Sequence, residues 1–308
     1  MRYRFSLKAT LGRSKKYECP QCGHKNRFTR YTDNWIGEYI ADDVGMCDRI
    51  NSCGYHYRPL QYFQALGKHL GYNPIVNQRI SKPVNNTPSY IQQQHLGSSL
   101  RRYEKNSFVK FLNALFPASL VDSALERYKI GTSYRWGGST IFWQIDQVGK
   151  IRTGKIMQYD EATGKRIKES SDHIYWMHRH LNLNDFNLEQ CLFGEHLLSE
   201  NPLKTVCVVE SEKNAIISSI YDPDCVWVSV GSINNLNVKF CKALKGRKVL
   251  LFPDGDAYEN WVVRAEELKS IADVSVCDLL EKALTIQEKK QGFDLADYLL
   301  PAAPYLLC

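Results

Sequence analysis

No run of eighteen apolar residues occurs in this 308-residue chain, which excludes a membrane-spanning helix of ordinary length. The first ten residues carry charge without a continuous apolar stretch or a small-residue cleavage site. Neither export nor membrane insertion is therefore expected, and the expected location is cytoplasmic. No Gly-x-x-x-x-Gly-Lys-Ser/Thr run is present, so a P-loop helicase is not encoded in these residues. Hydrophobic residues at 44% and charged residues at 24% exclude a fibrous or wholly disordered chain.

The length leaves room for about two domains, each with its own core. The net charge of +7 hides an asymmetry: residues 1–110 carry 18 Lys and Arg against 7 Asp and Glu, or +11, and residues 111–308 carry 22 against 26, or −4. A basic first third on an otherwise acidic chain fits a polyanion, with nucleic acid the usual candidate; a solvated basic face is the alternative.

Four of the ten cysteines lie early, as Cys19-Pro-Gln-Cys22-Gly-His24 and Cys47-Asp-Arg-Ile-Asn-Ser-Cys53-Gly-Tyr-His56. A Cys-Pro-x-Cys-Gly turn frees amides toward two sulfurs and lets both thiolates reach one Zn²⁺ at about 2.3 Å. Cys19, Cys22, Cys47 and Cys53 are the expected structural zinc ligands. The wider second spacing leaves His24 or His56 open as a replacement for one cysteine. Disulfides fit poorly with a chain that shows no export signal, and a redox Cys-x-x-Cys would follow a strand rather than the polar Arg13-Ser-Lys-Lys-Tyr17. The other six cysteines, at 191, 207, 225, 241, 277 and 308, are scattered in mostly apolar surroundings and read as core fillers. Around the pairs, Arg27, Arg30 and Arg58 interleave with Phe28, Tyr31, Trp35 and Tyr39. That mixture suits single-stranded nucleic acid, whose phosphates take cations and whose bases stack on rings. Phe28 and Tyr31 are read first as the small ribbon's core, because so small a module must bury whatever apolar surface it has.

Residues 59–67 read as a short helix, and residues 73–99, rich in Asn, Gln, Ser and Pro, as a flexible linker. Helical periodicity resumes at 107–116 and 121–128. Alternating runs at 139–145 and 150–159, with Gly-containing turns at 146–149 and 160–164, predict a β-meander. Lys150, Arg152 and Lys155 are candidate nucleic-acid contacts there, or else charges that keep exposed strands in solution.

From residue 203 the pattern alternates: strand 205–209, helix 212–220, strand 225–230, helix 235–244, strand 248–252, helix 260–269, strand 273–277. This predicts an α/β fold with a mainly parallel sheet and helices on both faces. The expected division is a zinc ribbon at 1–72, the linker at 73–99, a mixed α/β segment at 100–202 and the parallel-sheet domain at 203–308. Two of the strands end on acids, Thr205-Val-Cys-Val-Val-Glu210 and Lys248-Val-Leu-Leu-Phe-Pro-Asp254-Gly-Asp256. Open α/β sheets place their chemistry outside the carboxyl ends of the strands. Glu210, Asp254 and Asp256 so close together would raise one another's pKa unless a cation neutralised them. Mg²⁺ or Mn²⁺, which takes carboxylate and phosphate oxygens, fits and directs the expectation to phosphoryl chemistry, with Glu210 as acid/base or water-mediated ligand.

Val208-Val-Glu210-Ser-Glu-Lys213-Asn-Ala215, Val228-Ser-Val-Gly231-Ser232 and Phe252-Pro-Asp254-Gly-Asp256-Ala257 resemble the TOPRIM domain of bacterial and phage-type DNA primases, topoisomerases and some nucleases. Glu210 matches the family's glutamate, and Asp254 and Asp256 match its Asp-x-Asp pair. Gly292-Phe-Asp294-Leu-Ala-Asp297-Tyr-Leu resembles the acidic motif that closes many primase-like members, which makes Asp294 an additional acid. Ser211 and Asn214 depart from the glycine and aspartate the family often has there, and the ribbon spacing also departs from the usual primase pattern. A ribbon, then a β-rich segment, then this domain is an order similar to that of primases of phages and mobile elements. The resemblance implies a nucleotidyltransferase that makes RNA primers from nucleoside triphosphates on single-stranded DNA, with a separate replicative helicase as a possible partner. A catalytically inactive DNA-binding replication protein and a Mg²⁺-dependent nuclease are the alternatives. An aspartyl-phosphate phosphatase would carry its nucleophile on the first strand of the domain, not the third.

Overall fold

The computed structural model describes residues 4–7, 16–49, 53–66, 87–167 and 174–301. The chain divides into two compact units, residues 1–84 and 85–308.

In the first unit, β1 (Phe5–Ser6), β3 (Thr32–Asp33) and β4 (Glu38–Tyr39) form one antiparallel sheet, with β3 in the middle. A second, two-stranded antiparallel sheet joins β2 (Phe28–Arg30) to β5 (Gly45–Cys47), and α1 (Pro59–Ala65) follows. Gly45 has a reason to be glycine: a Cβ there would lie 2.3 Å from the Thr29 carbonyl oxygen and 2.5 Å from the Phe28 ring. Among the described residues the core cluster comprises Cys19, Phe28 and Cys47, with Tyr17, Cys22, Cys53 and Tyr55 packed on it. So little apolar burial does not offset the entropy of ordering the chain, which makes a cross-link necessary.

The second unit begins with α2 (Gln93–Ser99), α3 (Ser107–Leu115) and α4 (Ala118–Tyr128). Of the expected linker, 73–86 lies outside the described residues, and the rest is no tether. Ile91 bridges Ile151, and Leu96 and Ser99 of α2 are buried. Ser99 Oγ accepts a 3.0 Å hydrogen bond from Trp143 Nε1; polar residues here satisfy buried partners instead of water. α3 buries Phe108, Val109, Phe111 and Leu112, the apolar stripe its periodicity predicts.

Next come β6 (Gly131–Ser133), β7 (Ser139–Ile145), β8 (Ile151–Met157) and β9 (Tyr175–Trp176), paired antiparallel in that order as the expected meander. Two short helices, α5 (Met177–His180) and α6 (Leu197–Glu200), lead to β10 (Val206–Val209), α7 (Glu212–Tyr221), β11 (Val226–Ser229), β12 (Lys248–Leu251), α8 (Tyr258–Leu268) and β13 (Asp273–Val276). α9 (Leu279–Ala283), α10 (Ile286–Lys290) and α11 (Leu295–Leu299) close the chain. The four strands β11-β10-β12-β13 form a wholly parallel sheet. Every residue of β10 is buried, so both of its faces are covered.

Two expectations change. The helix at 235–244 is absent; 3₁₀ turns at Ile233–Asn235 and Lys242–Leu244 stand in its place. Asparagine side chains take the backbone partners a helix needs: Asn235 Nδ2 donates to Val230 O, Asn237 Nδ2 to Asn234 O, and Asn237 Oδ1 accepts from the Phe240 amide. Nor does the expected boundary near residue 203 interrupt packing, because one core runs from Phe108 to Ala296. Tyr128 stacks on Phe193 and donates a 2.9 Å hydrogen bond to the Trp227 carbonyl, tying α4 to the parallel sheet.

Asn106 joins α3 to the meander. Fully buried, it caps the Val109 amide, donates to the Gly131 carbonyl and accepts from Thr140 Oγ1 at 2.7 Å. Asn106→Ala strands these groups together, so a loss of about 2 kcal/mol or more in unfolding free energy is expected by denaturant titration, whereas the exposed Glu104→Ala changes it little.

Candidate functional site

In the first unit the sulfurs of Cys19, Cys22, Cys47 and Cys53 all lie within 4.8 Å of one another. Cys19 and Cys53 are 3.7 Å apart, and Cys22 and Cys47 are 4.0 Å apart. A tetrahedron with bonds of about 2.3 Å has edges of about 3.8 Å, so the four thiols fit Zn²⁺. Each pair is presented by a tight turn ending on a glycine with positive φ: Gly23 (65°), whose amide donates to Cys19 O, and Gly54 (70°), whose amide donates to Arg49 O. A hydrogen bond from the His24 amide draws the Cys22 thiol down to about 6, while burial pushes that of Cys47 up to about 12. Both histidines face elsewhere. The His24 ring lies 2.9 Å from the Cys22 carbonyl and takes Arg49, and His56 Nε2 meets Tyr31 Oη at 2.9 Å.

In the second unit, Glu210 follows β10 and Asp254 follows β12 by three residues, and these strands are hydrogen-bonded neighbours in the register Val208↔Leu251. The Phe252 amide donates to Val208 O at 2.8 Å, carrying the pairing one residue nearer the acids. Both carboxyls therefore emerge at one sheet edge. Burial raises the Asp254 pKa well above the ordinary range, and Asp294, Glu210 and Asp256 add to this against Lys213. Burial also raises Glu210; Lys155 opposes the rise, whereas Asp256 and Glu212 reinforce it. Asp294 is raised by burial too, against the pull of Lys213. Asp256 is exposed, and the three carboxylates Glu210, Asp254 and Asp256 are not drawn together to within 4.8 Å of one another.

The residues fit a hard divalent cation. Asp254 Oδ1 is shut off from solvent and has no hydrogen-bond donor among the described residues, a state that leaves its lone pairs for a cation. The spread of the acids suits Mg²⁺, which keeps several of its waters and takes only one or two protein carboxylates. Asp294 also has a structural task, because it caps α11 by accepting from the Asp297 amide at 3.0 Å.

The cations are placed differently from the sequence expectation. Lys155 is not surface charge: it is buried and paired with Glu212 at 3.0 Å, the alternation of β8 having turned it inward. Arg152 pairs with Asp146 at 2.8 Å, and Arg30 pairs with Asp42 while lying 3.8 Å from the Tyr17 ring centre. Arg27, Arg58 and Lys150 are exposed. Trp35 and Ile36 are 73% and 67% exposed at the β3–β4 turn, while Phe28 is wholly buried in the ribbon. Sequence reading missed the role of Lys213, which binds Asp294 at 3.1 Å. Its signal was present: a lysine in the first turn of α7 opposes the helix dipole and so implies nearby acids.

Residues 3–68 match a family described as a zinc beta-ribbon finger, and residues 106–255 match one described as a domain of unknown function, DUF6371. The ribbon match and the four-cysteine cluster together support a structural Zn²⁺. No curated protein matches the chain. Among solved structures, the primase fragment of the bacteriophage T7 primase-helicase is similar at 15% identity and a TM-score of 0.41, over 95% of this chain and 97% of that one. The E. coli primase catalytic core is similar at 10% and 0.39, over 68% and 81%. The RNA polymerase domain of Mycobacterium tuberculosis primase DnaG, in complex with double-stranded DNA, is similar at 11% and 0.44, over 70% and 77%. Among the described residues, no helix is long and apolar enough to cross a membrane.

Two outcomes are expected. Zinc removal, or Cys22→Ser, unfolds the first unit and leaves the unfolding transition of the second in place, as metal assay and calorimetry would show; a single unchanged transition after complete zinc loss would contradict this. Asp254, Glu210 and Asp294 all have raised folded-state pKa values, so the metal-free native chain binds more protons than the unfolded one. Their contribution is full below the ordinary carboxylate range and is lost as pH rises through the raised values. Melting temperature should therefore fall with rising pH over that interval. Saturating Mg²⁺ or Asp254→Asn should flatten the fall.

Proposed function

We propose that this chain is a TOPRIM-type, primase-like nucleotidyltransferase that joins ribonucleotides on single-stranded DNA, with Mg²⁺ or Mn²⁺ at Asp254 and Asp256. The observation that carries the reading is the buried Asp254 Oδ1, without a hydrogen-bond partner among the described residues, at the same carboxyl edge of adjacent parallel strands as Glu210. The motif resemblance at Glu210, Asp254, Asp256 and Asp294 supports it, as does a zinc ribbon ahead of the site.

Joining two nucleotides requires attack of a 3′-hydroxyl on an α-phosphorus with departure of pyrophosphate. A bound divalent cation supplies charge neutralisation at the triphosphate and orients it. Asp254 and Asp256 would hold that ion. Glu210, with its raised pKa, is suited to accept the hydroxyl proton or to hold a water of the ion's shell. Lys213 pairs with Asp294 at 3.1 Å and opposes the rise that burial imposes on that carboxyl, next to the place assigned to the cation. Arg27, Arg58 and Lys150, the exposed cations of the basic set, are assigned to phosphates of the template, and exposed Trp35 to a base. Arg30 and Arg152 would join them only by giving up their ion pairs. Replication of a phage or mobile element, with a separate helicase, is the setting that the order of modules favours.

The test is incorporation of labelled ribonucleotides on single-stranded DNA with Mg²⁺. Asp254→Ala and the exposed Asp256→Ala should each lower it by about 100-fold or more, the equivalent of several kcal/mol of lost charge stabilisation. Lys150→Ala should weaken template binding and reduce the salt slope by about one, with the chemistry intact at saturating template. Template binding without turnover would mark a replication accessory protein, and cleavage of the template a nuclease; either result would replace this proposal.

A further inference from the structure

A second set of metal-type ligands lies away from the acidic edge, at the amino-terminal end of β11. Cys207 Sγ, a carboxylate oxygen of Asp222 and Cys225 Sγ are all within 4.8 Å of one another. The fold brings them there for identifiable reasons. Cys207 lies opposite Trp227 in the β10–β11 register. Cys225 comes two residues before Trp227, so the period-two alternation of a strand puts both cysteines on one face.

Asp222 caps the carboxyl end of α7, the helix that crosses between the two strands. Its backbone is fixed at both groups: the amide donates to Ser218 O at 2.8 Å, and the carbonyl accepts from Trp227 Nε1 at 3.0 Å. Its Oδ1 accepts the Asp224 amide at 3.2 Å. All three ligands thus belong to one strand–helix–strand turn, and two of them stand on hydrogen-bonded backbone.

The spacing suits a tetrahedral ion. Bonds of about 2.3 Å to sulfur and about 2.1 Å to oxygen give ligand-to-ligand edges of about 3.4–3.8 Å, inside the observed 4.8 Å limit. A separate observation supplies access. A cavity of about 200 Å³ opens beside Cys225, lined by Tyr128, Glu200, Lys204, Pro223 and Trp227 among others. It gives an ion a way in and leaves room for a water.

We propose that Cys207, Asp222 and Cys225 form a second metal site, taking a borderline divalent cation of the Zn²⁺ type with a cavity water as fourth ligand. Two thiolates and one carboxylate select such an ion over Mg²⁺, which prefers oxygen alone. Binding releases the two thiol protons to solvent and forms two metal–sulfur bonds, with no change of oxidation state. The ion would staple the starts of β10 and β11 to the end of α7. The site is independent of primer synthesis and stands whether or not the chain has that activity.

The experiment is zinc content of the full chain, purified in zinc and freed of loosely bound metal by gel filtration. Two zinc ions per chain are expected. Cys225→Ser and Asp222→Asn should each leave one, and Cys22→Ser should also leave one, held by this second set. Cobalt substitution in Cys22→Ser should give visible bands that Cys22→Ser/Asp222→Asn lacks. If Cys225→Ser does not fold, the half-exposed Asp222→Asn gives the same reading. One zinc per chain in the wild type, two in a folded Asp222→Asn variant, or peptide mapping that finds Cys207 and Cys225 joined as a disulfide would each overturn the proposal.

Discussion

The parallel pairing of β10 with β12 is the constraint on which the second unit depends. Its register, Val208 opposite Leu251, brings the segments that carry Glu210 and Asp254 out at the same carboxyl edge. A slip of one residue would turn every side chain of one strand to the opposite face. Such a slip is resisted because Val206, Val208, Val249 and Leu251 are at most 0% exposed, and fully burying each contributes roughly 1.5–3 kcal/mol. The repulsion among the acids works against the same pairing. Hydrophobic burial within the sheet holds together carboxyls that would otherwise separate.

The electrostatic compensation is local and divided between two lysines. Lys155 reaches Glu212 from β8, and Lys213 reaches Asp294 from α7, so the meander, the crossover helix and the carboxyl-terminal helices are all tied to one edge. Such buried pairs return little net stability, because removing the charges from water costs about what their attraction yields. Their effect here is positional. Gly231, at φ 72°, turns the chain past this pair in a conformation that favours glycine, and a Cβ there would meet Glu212 Oε1 at an ordinary contact distance of 3.4 Å. With Glu212 and Asp294 already balanced, the charge left for a diffusible cation is that of Glu210, Asp254 and Asp256.

What the sequence made legible follows from where local signals and tertiary contacts agreed. The strands at 206–209, 226–229, 248–251 and 273–276 were readable because short apolar runs bounded by turns have few other folded states. The cysteine ribbon was readable because ligand spacing is a backbone property. The segment 235–244 misled because it is apolar enough to bury Leu236, Cys241 and Leu244 while the side chains of two asparagines, Asn235 and Asn237, claim the backbone. Residues 93–99 misled in the opposite direction, since polar composition concealed a helix held by two buried contacts. Lys155 looked like surface charge because its partner is 57 residues away in sequence. Ion pairs of that separation leave no periodic trace.

The two units meet the same physical problem with different chemistry. Each gathers groups that are anionic when they bind metal: the ribbon with its four thiols, and the sheet edge, in the function proposed above, with its carboxyls. In the ribbon the four sulfurs surround the position closely, at separations of 3.7 and 4.0 Å from one cysteine pair to the other, so a soft ion fills the site and leaves no place for substrate. At the sheet edge the carboxyls stay further apart and Asp256 remains exposed, so the hard ion proposed there would retain waters and could exchange them for phosphate oxygens. Closure suits a structural metal and openness suits a reactive one. That difference in ligand spacing, more than the identity of any single acid, is why the chemistry is assigned to the second unit and the folding role to the first.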